Sequence, residues 1–152
     1  MAKWLIAVSL TILLLGCADK PDAKPHGANP PDATVQVGDR TFATKLGTYC
    51  WGRCVDMVGA AQLLEGREPI RVNPNQEVSL TMAYEPQPNQ FHLMQESGSG
   101  QTEISLSGNA FKAPAQPGLY YYTYSVWWMD EERANVSNGD ASYVFALQVA
   151  TE

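Results

Sequence analysis

The chain has 152 residues, 45% of them hydrophobic and 10% aromatic, and sixteen acidic against ten basic side chains give a formal charge of −6. That length is enough for one domain with its own core. The ten Lys and Arg are scattered, without the clustered basic footprint that a phosphate backbone requires, so nucleic acid is excluded as a partner.

The first segment, MAKWLIAVSLTILLLGC, places Lys3 before an apolar run from Trp4 to Leu15, then small Gly16 and Cys17. This is the layout of a secretory signal, and the run is shorter than the roughly 20 residues a membrane-crossing helix needs. Its ending, Leu14-Leu15-Gly16-Cys17, resembles a bacterial lipobox, the pattern at which a dedicated peptidase cleaves before a lipid-modified cysteine. The resemblance implies a signal peptide over 1–16 and a mature chain that begins at Cys17, held to membrane lipid by acyl chains. Each buried methylene contributes about 0.8 kcal/mol, so two long chains anchor a protein stably. The implied location is the extracytoplasmic face of a bacterial cell membrane.

The next stretch, ADKPDAKPHGANPPDA from Ala18 to Ala33, has four prolines and almost no large apolar side chain. Such a composition cannot bury enough surface to fold. Residues 17–33 are therefore expected to form a disordered spacer, reaching up to roughly 50 Å in the polyproline conformation. His26 within it is expected to be solvated.

From Thr34 the pattern changes to short segments of period two divided by Gly, Pro and Asn, the mark of an all-β domain over 34–152. TVQVGDRTFAT reads as a hairpin turning near Gly38-Asp39, and MVGAAQLLEG as one or two helical turns ended by Gly66. PIRVNPNQEVSLTMAY alternates Ile70 and Val72, then Val78, Leu80, Met82 and Tyr84. NQFHLMQ supplies Phe91 and Leu93, and TEISLSG supplies Ile104 and Leu106. PGLYYYTYSVWW points Tyr120, Tyr122, Tyr124, Val126 and Trp128 to one side, expected inward, and SYVFALQV does the same with Tyr143, Phe145, Leu147 and Val149. About seven antiparallel strands with frequent turns give a two-sheet sandwich. The run KAPAQPGLYYYTYSVWW with SYVFALQV resembles the last two strands of bacterial immunoglobulin-like domains, and PIRVNPNQEVSLTMAY resembles their opening hairpin. More loosely, the chain resembles uncharacterised Gram-positive surface lipoproteins. That fold class specifies no chemistry by itself.

Three regions are candidates for function. In LGTYCWGRCVD, Cys50 and Cys54 are the pair left once Cys17 is modified, and an even pair outside the cell is most simply a disulfide. The chain must turn to close it, and Gly52 permits the turn. Two alternatives share the spacing. Cys-x-x-x-Cys resembles the copper-site cysteines of membrane-tethered copper chaperones and of oxidase subunits, which would draw on His92 or on Met57, Met82, Met94 and Met129. A reactive redox pair, with Arg53 lowering a thiol pKa, is the other.

The loop MDEERANVSNGDAS offers oxygens from Asp130, Glu131, Glu132, Asn135, Asn138 and Asp140, as calcium requires. Its spacing matches no EF-hand, and Asn138-Gly139 is the preferred dipeptide of a tight hairpin turn, so a solvated hairpin is expected. Lastly, Trp51, Tyr121 and Trp127 are expected outside the core, as anchors for a protein or glycan partner. No nucleophile elbow, phosphate loop or zinc spacing is present. The expectation is a non-catalytic, membrane-tethered ligand- or protein-binding module with no metal or cofactor. Alternatives are the copper or thiol-redox protein, or a sensory or inhibitory lipoprotein acting on a membrane partner.

Overall fold

A computed structural model describes residues 25–98 and 100–150. The lipobox, Cys17 and the spacer up to residue 24 lie outside the described residues. The all-β two-sheet sandwich expected from the alternation is present, with one short helix.

The smaller sheet runs in the order β2 (Arg40–Ala43), β1 (Ala33–Val37), β6 (Glu77–Met82) and β9 (Ala110–Lys112). The larger runs β4 (Arg53–Val55), β3 (Lys45–Trp51), β11 (Ser137–Val149), β10 (Gly118–Met129), β7 (Gln90–Ser97) and β8 (Gly100–Ile104). β5 (Ile70–Val72) pairs parallel with the end of β11, so the sheets are not wholly antiparallel. Eleven strands replace the expected seven or so because the cysteine stretch folds as β3 and β4, at the edge of the large sheet, and because short β9 closes part of the small one.

The inward rows are as read from the alternation. Tyr122, Tyr124, Val126 and Trp128 from β10 meet Tyr143, Phe145, Leu147 and Val149 from β11, all at most 9% exposed. Val35, Val37, Val78 and Leu80 close the core from the small sheet. The outward residues Val144 and Ala146 of β11 are nonetheless buried, because α1 (Ala60–Leu63) lies over them through Ala60 and Leu64.

Two expectations are corrected. Residues 25–33 are not spacer. Pro30 is buried, Ala33 opens β1, and the Pro31 carbonyl accepts from the Tyr143 hydroxyl at 2.6 Å. His26 is not simply solvated, since it stacks on the Tyr84 ring at 5.0 Å and its backbone N–H donates to the Tyr84 hydroxyl. The proline-rich composition missed this because the partners are supplied by the sandwich and not by the segment.

Asn138-Gly139 does not form the hairpin turn but lies inside β11. A Cβ on Gly139 would stand 3.0 Å from both the Trp51 ring and Pro25. Close approach, not turn geometry, is why glycine occupies that position. The β10–β11 connection is instead made by Asp130, whose Oδ1 accepts from the backbone N–H groups of Glu132 and Arg133 at 3.0 and 2.9 Å. Its Oδ2 accepts from Arg133 Nη2 at 2.7 Å, and Asn135 takes the left-handed conformation with φ 61°. Asp130 thus serves the connection itself, and no group of three or more His, Cys, Asp or Glu among the described residues is arranged to hold a metal ion.

The Arg133 side chain holds the Asp130 carboxyl down at about 2, against an ordinary 3.8. The stabilisation it gives the connection is present above the unfolded pKa and is lost as pH falls from near 4 towards 2. Carboxyl-carbon NMR should show Asp130 titrating well below the ordinary aspartate range, and Arg133→Ala should raise it, the backbone N–H groups of Glu132 and Arg133 still holding it partly down.

Candidate functional site

The aromatic trio expected to form a partner surface is not one surface. Trp51 is 7% exposed and belongs to the core, edge-on to Trp128 at 5.0 Å, with its Nε1–H donating to the Gly27 carbonyl at 3.0 Å. Tyr121 packs beside α1 at the other end of the large sheet. Of the three, Trp127 alone stands on the open outer face, between Asp140 of β11 and Gln90 of β7, with the His92 ring edge-on at 5.6 Å.

Cys50 and Cys54 are joined by a disulfide between directly opposed residues of β3 and β4, and Gly52 makes the turn with φ +73°. Closing a loop this short stabilises by about 2 kcal/mol in the chain-entropy picture. The cysteine sulfurs are therefore not available as thiolates. His92 sits three strand spacings away across the sheet, roughly 14 Å, too far to share a metal with them. Beside the bridge, the Cys50 N–H donates to Asp140 Oδ1 at 3.2 Å. Partial burial pushes the Asp140 carboxyl up, and that hydrogen bond opposes the shift.

On the same outer face, His92 Nδ1 meets Glu103 at 2.5 Å and Ser125 is the cross-strand partner of His92. Serine, imidazole and carboxylate in a row have the composition of a hydrolase triad. Here they lie on the exposed side of a sheet, where β10 pairs with strands on both sides. The ladder consumes the backbone N–H groups that an oxyanion would need, and His92 Nε2 faces Gln90 at 3.5 Å. The row is a set of surface contacts without the machinery for acyl transfer.

A concave site of ligand size lies at the open edge of the sandwich. The small sheet is narrower than the large one, and its last strand, β9, covers only Glu77 to Ser79 of β6. Where that cover ends, the inward face of β7 opens to solvent at Phe91. Phe91 is on the inward row, paired with Val126, yet is 44% exposed. It forms one wall of a groove of about 450 Å³ with Tyr124, Leu80 and Met82, and Pro88, Gln87 and Asn109 complete the rim. That volume falls within the range of small-ligand sites. A second concavity of about 460 Å³ lies beside Arg71, Gly118 and Val149 and has no aromatic side chain in its lining, and the cleft beside α1 that Leu119 and Tyr121 line is about 80 Å³.

The polar atoms of the groove are fixed. Asn109 Nδ2 donates to the Leu80 carbonyl at 3.0 Å, and the Leu80 N–H donates to the Asn109 carbonyl at 2.8 Å. Gln87 Nε2 donates to the carbonyls of Met82 at 3.1 Å and Tyr84 at 2.5 Å. The tyrosines of the core differ from one another. Tyr122 donates to Gln95 Oε1 at 2.7 Å and Tyr143 to Pro31 at 2.6 Å. Tyr124, 9% exposed, has no hydrogen-bond partner for its hydroxyl among the described residues. No buried side-chain polar atom there lacks a partner, so this hydroxyl reaches solvent, and the groove is the opening that Tyr124 lines. Burial raises the Tyr124 pKa.

Alternation alone places Phe91 and Tyr124 inward, and what it misses is that the cover is one strand short. The signal in the sequence was the brevity of AFK, three residues between Asn109 and Ala113, facing eight-residue β7. No family model, curated protein or solved structure matches the chain.

Proposed function

We propose that the chain is a membrane-tethered extracytoplasmic lipoprotein whose sandwich is a non-catalytic binding module, with its ligand seated in the groove of Phe91 and Tyr124. The observation that carries the reading is a concavity of ligand size in which the exposed Phe91 ring stands beside the solvent-facing Tyr124 hydroxyl, which has no partner among the described residues. The hydroxyls of Tyr122 and Tyr143 are spent on Gln95 and Pro31, whereas that of Tyr124 opens to the groove. A site that keeps one unspent is suited to a bound molecule. The lipobox ending at Cys17 supports the anchored location, and the disulfide suits an oxidising compartment.

Docking of residues 25–33 shortens the tether. Seven residues lie between Cys17 and Pro25, and eight residue steps of no more than about 3.6 Å hold the sandwich within roughly 29 Å of the acylated cysteine. The groove therefore faces ligands of the cell envelope close to the bilayer.

Fractionation of cells that make the full chain tests the anchor. Wild type should sediment with membranes and incorporate labelled palmitate, whereas Cys17→Ala should do neither. Unlabelled wild type in the soluble fraction would remove the lipoprotein reading.

A further inference from the structure

We infer that the groove binds a neutral, hydroxyl-rich carbohydrate. This rests on the binding-module reading and adds the chemical class of the ligand.

Charge speaks first. None of the nine residues lining the groove is charged, so the site offers no opposite charge to a phosphate, a carboxylate or an ammonium group. An anionic headgroup or charged peptide forms no ion pair there and loses part of its hydration.

An extended peptide is disfavoured by the strand edge. Strand addition needs free backbone N–H and C=O groups along the edge. On β6 the Leu80 N–H and C=O are both taken by Asn109, and the Met82 carbonyl by Gln87. A wholly apolar ligand is disfavoured by what remains. It would desolvate the Tyr124 hydroxyl and the carboxamide oxygens of Gln87 and Asn109, which take no donor among the described residues, and leave each unpaired.

A sugar ring meets all of these terms. Its C–H face packs on an exposed aromatic ring, which Phe91 supplies with Tyr124 tilted beside it at 6.4 Å. Its hydroxyls both donate and accept, so they satisfy two fixed carboxamide acceptors and a phenol that does both. Apolar walls with a few convergent neutral polar atoms give orientation without charge.

The test is calorimetric titration of the full chain in phosphatidylcholine nanodiscs with cellohexaose, maltohexaose and chitohexaose, and separately with a blocked, uncharged, leucine-rich hexapeptide. At least one hexasaccharide should bind saturably. Tyr124→Phe should weaken it about three- to tenfold, the loss of one neutral hydrogen bond. Phe91→Ala should weaken it tenfold or more, and Trp127→Ala should leave it unchanged. Tyr124→Phe removes an oxygen that no protein group uses, so its unfolding midpoint should match wild type, and a binding loss cannot be ascribed to misfolding.

Silence of all three saccharides overturns the carbohydrate class. If the peptide then binds and Phe91→Ala abolishes it, the groove remains a binding site for a different ligand. Saccharide binding that neither groove variant alters would overturn both the ligand class and the groove as its place.

Discussion

Trp128→Ala should lower the unfolding free energy by about 3 to 5 kcal/mol, the range for removing a buried large aromatic. Small domains have total stabilities of roughly 5 to 15 kcal/mol, so this one change should leave a large part of the population unfolded at 37 °C. The side chain is 1% exposed, and its Nε1–H donates to the Pro86 carbonyl at 2.6 Å. It is edge-on to both Trp51 at 5.0 Å and Tyr84 at 5.7 Å. Those rings in turn hold the incoming chain, Trp51 through the Gly27 carbonyl and Tyr84 through His26. Loss of Trp128 therefore removes packing and also loosens the clamp on residues 25–31. Urea unfolding with far-ultraviolet circular dichroism measures it. Trp128→Phe should recover part of the loss by refilling the cavity but not the indole hydrogen bond.

Gly139→Val should rank second. Even alanine there places a Cβ 3.0 Å from the Trp51 ring and from Pro25, inside any normal contact. Neither neighbour can yield easily, because Trp51 is wedged against Trp128 and Pro25 leads into the docked segment. Overpacking of this kind costs about 1 to 3 kcal/mol, and valine adds two methyl groups to the conflict. The control is Gly59→Ala. Gly59 has φ −61°, which any residue adopts, and nothing within 4 Å of the added carbon. Thermal unfolding should show a fall of several degrees for Gly139→Val and none for Gly59→Ala. Equal stability of the two would mean that the N-terminal segment does not pack on Trp51.

These two residues also mark how far the sequence was legible. The inward row ending in Trp128 follows from period two alone, since a strand buried on one face must alternate. The helical turn at Ala60 was likewise marked by its composition and by Gly66. Gly139 was misread, because Asn-Gly is a turn signal only when nothing presses on the glycine. What presses on it, Trp51 and Pro25, is about 90 and 114 positions away in the chain. Trp51 was placed outside the core for the same reason. Its neighbours along the chain are cysteines, glycine and arginine, and its burial comes from Trp128 and Tyr84.

The groove shows a different limit. Phe91 and Tyr124 were assigned their face correctly, but their exposure depends on how far the opposite sheet extends. That is a property of topology, set by the three residues of β9 and by Asn109 folding over the Leu80 backbone, and no local periodicity reports it. The surface that local composition did suggest, around the disulfide and Trp127, holds a smaller concavity of about 200 Å³ and has polar groups already paired: Asp140 with the Cys50 N–H and His92 with Glu103.

Hydrogen-exchange mass spectrometry on the full chain in nanodiscs, with and without a saturating hexasaccharide, tests the central claim most directly. Protection should appear in peptides spanning 80–92 and 107–111, which carry Leu80, Met82, Gln87, Phe91 and Asn109. Protection confined to the hairpin of Cys50 and Cys54 and to the strand around Trp127, with the groove peptides unchanged, would contradict it.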